Sequence, residues 1–358
     1  MFRIIFFSAI VVLAGGGVPA ASGTDLLEQS GQRHDELAEA DRLSVEVVKL
    51  FKSSEFEEAV PLAKRALKIR QKHLNANDAL VADAQSNLAE LYLVLEQPKD
   101  AESLIEKAVK IYQLDSAAHG KSLAHALERL GLLRDLSFKR AEAEALFLQA
   151  LALRERVMGP AHIETKDARD RLATFYMRTK EFAKALPILR QQVAESEQKY
   201  GSADPRVGQV LERLSCALFR NKETAEAEKI EARANRILYA DGSRKNEPLV
   251  LSQESFECRL ITNPRPDFVN VARNLRFMGR ATIIVALDVN ETGQVTHAQV
   301  VLGEPLFREV SEKAALGATL RPLVVDGQAV KFKGTISHQF GVMTTTRIVA
   351  VPGVMRRP

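Results

Sequence analysis

The chain has 358 residues, 46% of them hydrophobic and 27% charged, with no Trp, 6% aromatics and a formal net charge of +4. That composition excludes wholesale disorder, and the length favours two structural units over one. The positive surplus is too small for a nucleic-acid interface and falls beyond residue 240, where 15 of the 50 Lys/Arg and 11 of the 46 Asp/Glu residues lie. Scarce aromatics also disfavour a site that stacks bases or sugars.

The first segment, MFRIIFFSAIVVLAGGGVPAASG, carries Arg3, an apolar run from Ile4 to Ala14, and small residues at Val18 and Ala20. It reads as a secretory signal peptide cleaved after Ala20, because the run is far shorter than the ~20 residues that span a bilayer. An uncleaved anchor is the alternative. No Cys lies near the cleavage point, so lipid attachment of the lipoprotein kind is not expected. Gly15-Gly16-Gly17 is not a phosphate loop, since no Gly-Lys-Ser/Thr follows it.

From residue 40 a pattern recurs. Ala59, Ala101, Ala143, Ala185 and Ala227 are 42 residues apart without a slip, and Ala66, Ala108, Ala150, Gln192 and Ala234 keep the same interval. A second track runs Leu88-Ala89, Leu130-Gly131, Leu172-Ala173 and Leu214-Ser215. A fixed period of this length predicts a solenoid of helix pairs, each pair touching through its small residues and stacking on the next. Leu88, Ala89, Tyr92, Ala101, Ile105 and Ala108 stand on the Leu-Gly-Tyr-Ala-Phe-Ala positions of the tetratricopeptide repeat, and the array resembles that family in the long-linker form of kinesin light chains. The first repeat fits least, with Glu46-Val47 in place of Leu-Ala.

The resemblance implies a peptide-binding groove lined by the first helix of each pair. Carried over position by position, the groove would present Asp83, Ser86 and Glu90, then His125, Glu128 and Asp135, then Asp167, Asp170 and Arg178, and lastly Gln209, Glu212 and Arg220. Acids outnumber bases, so a basic or neutral protein ligand suits it better than a C-terminal carboxylate. Carboxylates near a helix start also simply stabilise its dipole.

After Gly242, Ser243, Asn246 and Pro248 the 42-residue register stops. NPRPDFVNVARNLRFMG predicts a Pro-fixed lead-in and a short helix. ATIIVALDV and QVTHAQVVL predict a hairpin turned at Asn290-Glu291-Thr292-Gly293. PLFREVSEKAALGATL predicts an amphipathic helix with Phe307, Val310, Ala314 and Leu316 near one side, Asp326-Gly327 a turn, and Ala329–Val342 a last strand.

In order, Pro264 and Pro266, Gly279, NETGQV, Ala314-Ala315, LRPL, GQAV and HQF resemble the C-terminal domain of the TonB family of energy transducers. Asp267-Phe268 stands for that family's Tyr-Pro, and Arg280 for its second glycine. The resemblance implies a small sheet that grips extended partner segments along an exposed edge. The candidate edge is the last strand, with Lys331, Lys333, Thr335, Ser337 and Gln339. Its lysines could meet an acidic partner, or equally guard the edge against aggregation.

No catalytic constellation is legible. The seven His are scattered, HIETKD is not a His-Glu-x-x-His zinc motif, and no Gly-x-Ser-x-Gly elbow occurs. Neither a metal nor a cofactor is expected, and an enzyme is not. Cys216 sits in a helical pattern and nothing pairs it with Cys258, so two unpaired thiols are expected, one disulfide being the alternative in an oxidising compartment.

The expected fold class is an all-α tetratricopeptide solenoid followed by a small α+β TonB C-terminal-like domain. Its divisions are a signal peptide (1–20), five repeats (40–240), a linker (241–261), the α+β domain (262–345) and a tail (346–358). The expected function is that of an exported periplasmic adaptor. Its partners would be proteins or peptides of the cell envelope, outer-membrane receptors included, and neither nucleic acid nor a small-molecule substrate. The alternative is a membrane-anchored energy transducer, for which the chain lacks a Pro-rich spacer, with only 13 Pro.

Overall fold

The computed structural model describes residues 23–239, 247–268 and 280–341. The expected signal peptide, the helix after Phe268, residues 240–246 and the tail lie outside the described residues. Among those described, no helix is long and apolar enough to cross a membrane. The chain divides into two compact units, residues 1–168 and 169–358.

Ten helices follow the 42-residue period: α1 (Gly23–Lys52), α2 (Phe56–His73), α3 (Ala79–Val94), α4 (Pro98–Leu114), α5 (Gly120–Leu136), α6 (Arg140–Met158), α7 (Ile163–Thr179), α8 (Phe182–Tyr200), α9 (Pro205–Arg220) and α10 (Thr224–Tyr239). The small residues do what their size predicts. Ala59, Ala101, Ala143, Ala185 and Ala227 are all 0% exposed, and Ala89, Gly131, Ala173 and Ser215 are buried. A Cβ on Gly131 would stand 3.0 Å from the Phe147 ring, so helix α5 approaches α6 about as closely as glycine allows. Gln192 breaks the Ala track for a polar reason: it is half-buried and its Nε2 donates to Asp170 Oδ1 at 3.3 Å. In the first repeat, Val47 is buried where later repeats carry Ala, Gly or Ser.

Each turn inside a helix pair is built alike. Ser54, Glu96, Phe138, Lys180 and Lys222, 42 residues apart, all have φ between 58° and 68°. The next N–H, from Glu55, Gln97, Lys139, Glu181 or Glu223, donates to the carbonyl five residues back, at 2.8–2.9 Å. This is the Schellman ending of a helix, and glycine is its ordinary occupant. None of the five is glycine, so each carries left-handed backbone strain. Lys222→Gly is therefore expected to raise the stability of its unit by about 0.5–1 kcal/mol, net of the extra freedom glycine has when unfolded. Urea denaturation checks this, and an unchanged midpoint would contradict it.

Beyond α10 the described elements are β1 (Leu249–Val250), α11 (Gln253–Arg259), β2 (Leu260–Thr262), β3 (Arg280–Val289), β4 (Val295–Leu302), a 3₁₀ turn at Pro305–Phe307, α12 (Arg308–Leu316), β5 (Thr319–Leu320), β6 (Leu323–Val325), β7 (Gln328–Val330) and β8 (Phe332–Gly341). The main sheet has the order β1-β8-β3-β4, with β1 parallel to β8 and the other pairs antiparallel. The predicted hairpin is β3–β4. Asn290 Oδ1 accepts from the amides of Thr292 and Gln294, and Gly293 has φ 83°. A Cβ on Gly293 would lie 2.0 Å from the Leu320 carbonyl oxygen, so no other residue fits there.

The core of this module joins Phe256, Phe268, Phe307, Phe332 and Phe340 to Ile283, Val285, Leu287 and Ile336. Three expectations are corrected. The linker expected at 241–261 includes β1 and α11, which belong to the module. The last strand is interrupted at Lys331, which separates β7 from β8. The buried face of α12 uses Ser311 and Ala315, while Leu316 is exposed.

Candidate functional site

In the first unit the groove residues nominated from the sequence are bound up within the repeats. Asp83 accepts from the Tyr112 hydroxyl at 2.6 Å, and burial, with that carboxylate next, pushes the phenol's pKa up. Glu90 pairs with Arg129 at 2.8 Å and lies 3.8 Å from His125. Glu128, only 3% exposed, receives two guanidinium bonds from Arg154, at 2.8 and 3.2 Å. Tyr112 and Arg154 occupy equivalent places, as does Arg70, which bonds Asp41 at 2.9 Å. The sequence signal for these ties is the Arg70–Tyr112–Arg154 column at 42-residue spacing. Ser86 and Asp135 are half-buried, and Asp167 is exposed.

In the second unit, Asp170 receives bonds from Arg213 at 2.5 Å and Gln192 at 3.3 Å. Arg178 is exposed, its guanidinium 5.8 Å from the Phe175 ring centre. The nominated residues of α9 do something unforeseen: they hold α11. Glu212 accepts from the Ser255 hydroxyl at 2.5 Å and from the Tyr239 hydroxyl at 2.9 Å. Burial raises the pKa of Glu212, and burial beside that carboxylate raises the pKa of Tyr239. Arg220 donates to the carbonyls of Glu257 and Leu260, at 3.2 and 3.3 Å, the negative end of the α11 dipole. Cys216 and Cys258 are joined in a disulfide, with Cα atoms 5.6 Å apart, which corrects the expectation of two thiols.

A polar clasp continues onto α10. Glu231 pairs with Arg259 at 3.2 Å and Arg321 at 3.1 Å, and Asn235 donates to the Val324 carbonyl at 2.9 Å. The Arg321 guanidinium stacks 3.4 Å from the Phe219 ring centre, and burial lowers its pKa to about 10. Between α9, α10 and α11 lies a cleft of about 530 Å³, lined by Gln209, Glu212, Arg213, Leu238, Tyr239 and Ser255 among others. Among the described residues no group of three or more His, Cys, Asp or Glu is placed to hold a metal.

The expected sheet edge is also different. Lys331 and Lys333 offer their carbonyls outward, and the amides of Leu249 and Leu251 take them at 3.1 and 2.9 Å. By strand alternation Thr335, Ser337 and Gln339 face the same way. Alongside them runs α11, whose Phe256 ring fills the space over Gly334 and whose Glu257 carboxylate lies near the Ser337 backbone. The side chains of Lys331 and Lys333 reach Glu291 and Asp288 within the sheet, at 3.9 and 3.4 Å. The edge is therefore taken at Lys331 and Lys333 by β1, part of the chain segment read as a linker, and α11 of the same segment lies beside the rest of β8.

At the opposite edge Glu312 of α12 accepts the Val300 amide at 2.8 Å. Glu312→Ala should cost about 1 kcal/mol and leave that amide able to pair with another chain. Concentration-dependent sedimentation tests this, and a strictly monomeric variant of unchanged stability would contradict it.

Residues 50–114 and 123–164 each match the tetratricopeptide repeat family. No curated protein matches the chain. Among solved structures, a putative kinesin light chain with nearly identical TPR-like repeats from Podosopora anserina is 20% identical, covering 57% of this chain and 96% of its own, with a TM-score of 0.49. BtubC (BKLC) from P. vanneervenii is 21% identical over 62% of this chain and 94% of its own, with a TM-score of 0.46. MamA is 17% identical over 60% of this chain and 98% of its own, with a TM-score of 0.42. With the helix pairs and their small-residue contacts, the family matches establish that this chain carries tetratricopeptide repeats, the equipment of a protein-interaction adaptor.

Proposed function

We propose that the protein is an exported, non-catalytic adaptor of a bacterial cell envelope. Its helical repeats hold a protein partner, and its C-terminal module, which resembles TonB C-terminal domains, closes the last repeat. The observation that carries export is the Cys216–Cys258 disulfide, a bond that persists in oxidising compartments and is rare in reducing ones. It accords with a leader at residues 1–20. Repeats as the recognition surface are supported by the state of the sheet, since β1 pairs with the start of β8 and Glu312 takes the Val300 amide of β4.

The test is N-terminal sequencing of the protein recovered from fractionated bacterial cells. A soluble periplasmic species beginning at Ala21, with no free thiol, is the expected result. A cytoplasmic, reduced species would overturn export. A membrane-bound species still carrying Phe6 and Leu13 would favour the anchored transducer instead.

A further inference from the structure

The two sulfurs of the Cys216–Cys258 bridge stand in different surroundings. Cys216 is 4% exposed, in the run of α9 from Leu214 to Leu218 where every residue is buried. Cys258 is partly exposed and forms part of the wall of the cleft between α9, α10 and α11. At about 530 Å³ that cleft is the size of a small-molecule site. The bridge is therefore approached from the Cys258 side.

The charges along the approach are unequal. Glu212, Glu254 and Arg213 line the cleft, with Tyr239 beside them. Arg213 is already shared, since it bonds Asp170 at 2.5 Å while its Nε lies 3.3 Å from Glu254. The Glu254 side chain is 50% exposed. Glu212 accepts one hydroxyl on each oxygen, from Tyr239 and from Ser255. With two carboxylates on the wall and one guanidinium divided between Asp170 and Glu254, the balance facing an incoming molecule is negative.

Around the far sulfur the balance differs. Arg213 and Arg220 stand three residues before and four after Cys216, on the same face of α9. Nearby cations stabilise a thiolate and so make it the better leaving group. Glu212, four residues before Cys216, opposes them, but hydroxyl donors cover both its oxygens.

We propose that Cys258 is a thiol-exchange site, entered through this cleft and selective for small thiols that carry a positive charge. The entering thiolate bonds Cys258 Sγ and the bond to Cys216 Sγ breaks. Its electron pair leaves on the Cys216 sulfur, which then takes a proton from water. One disulfide replaces another, and the entering thiol is the only co-reactant. The chain stays folded through the exchange, because the Glu212–Ser255, Arg220 and Glu231–Arg259 ties do not involve sulfur. This goes beyond the adaptor reading and does not depend on it.

The test uses the purified, oxidised full chain and two thiols of like size and opposite charge, 2-aminoethanethiol and 2-mercaptoethanesulfonate. Each rate is divided by the rate of the same thiol on the urea-unfolded chain, which removes differences in intrinsic reactivity. The cationic thiol should then be favoured about tenfold, the size of a partly screened charge interaction across the cleft. Glu254→Gln should cut that preference by about threefold. Acid quenching at early times, followed by maleimide and peptide mapping, should find aminoethanethiol on Cys258 and maleimide on Cys216.

Equal normalised rates would mean that exchange occurs on unfolded molecules alone, and would overturn the site. An adduct on Cys216, or one divided between the two sulfurs, would overturn the cleft as the route. A preference unchanged in Glu254→Gln would overturn selection by charge. Where the protein resides in the cell bears on none of these outcomes, so failure here leaves the adaptor reading as it stands.

Discussion

Replacing Cys216 and Cys258 together with alanine should lower the stability of the 169–358 unit by about 3–4 kcal/mol, the loop-closure entropy of a cross-link spanning 42 residues. The bridge ties the first helix of the last repeat to the helix that lies against β8, so the loss falls on the attachment of the module as well as on the unfolded chain. The remaining ties at Glu212–Ser255, Arg220, Glu231 and Asn235 should still hold the module in place. Urea denaturation of the double variant and of the reduced parent should give coincident, lowered midpoints. A double variant as stable as the oxidised parent would show that the bridge contributes nothing.

Acid should act on the same unit through His338. This residue is 7% exposed, both its ring nitrogens are without a hydrogen-bond partner among the described residues, and its ring lies 6.2 Å from Phe268, which packs against Phe340 and Phe307. Burial alone drops its pKa from 6.5 to about 4. The folded-state value is thus below the unfolded one, so between pH 6.5 and 4 the unfolded chain binds the extra proton. Stability is full above pH 6.5 and falls as pH drops to 4, by about 3 kcal/mol in all. His338→Leu should abolish this dependence while leaving stability at pH 7 equal or higher, since two unpartnered buried nitrogens are removed. A pH series of urea midpoints on both proteins decides it. Identical slopes would mean that another group titrates in that window.

The repeats were legible because their contacts are local and recur. Ala59 and its four successors must be small for two helices to meet, and that requirement is written at every 42nd position. The β3–β4 hairpin was legible for a similar reason, since Gly293 and Asn290 encode the turn between two β-branched runs. What stayed hidden depends on tertiary placement. LSQESFECR has too little periodicity to declare a helix, and it becomes one where Phe256 can fill the space left by Gly334. The disulfide follows from that placement and from nothing local. Glu128, Glu212 and Arg220 were correctly put on the first helices of their repeats, but exposure does not follow from register. Glu128 is buried by an arginine 26 residues away, and Glu212 and Arg220 are engaged by a segment read as a linker.

The bridge between Cys216 and Cys258 also bears on what the chain would do under tension. A pull applied at the two ends would travel along α9 to Cys216, cross one sulfur–sulfur bond and leave through α11, bypassing α10 and the residues after it. About 140 Å of extended chain, 42 residues at roughly 3.4 Å each, would stay slack until the bond is reduced. Were the chain to serve as a tether in the envelope, its reach would be set by the redox state of one pair of sulfurs.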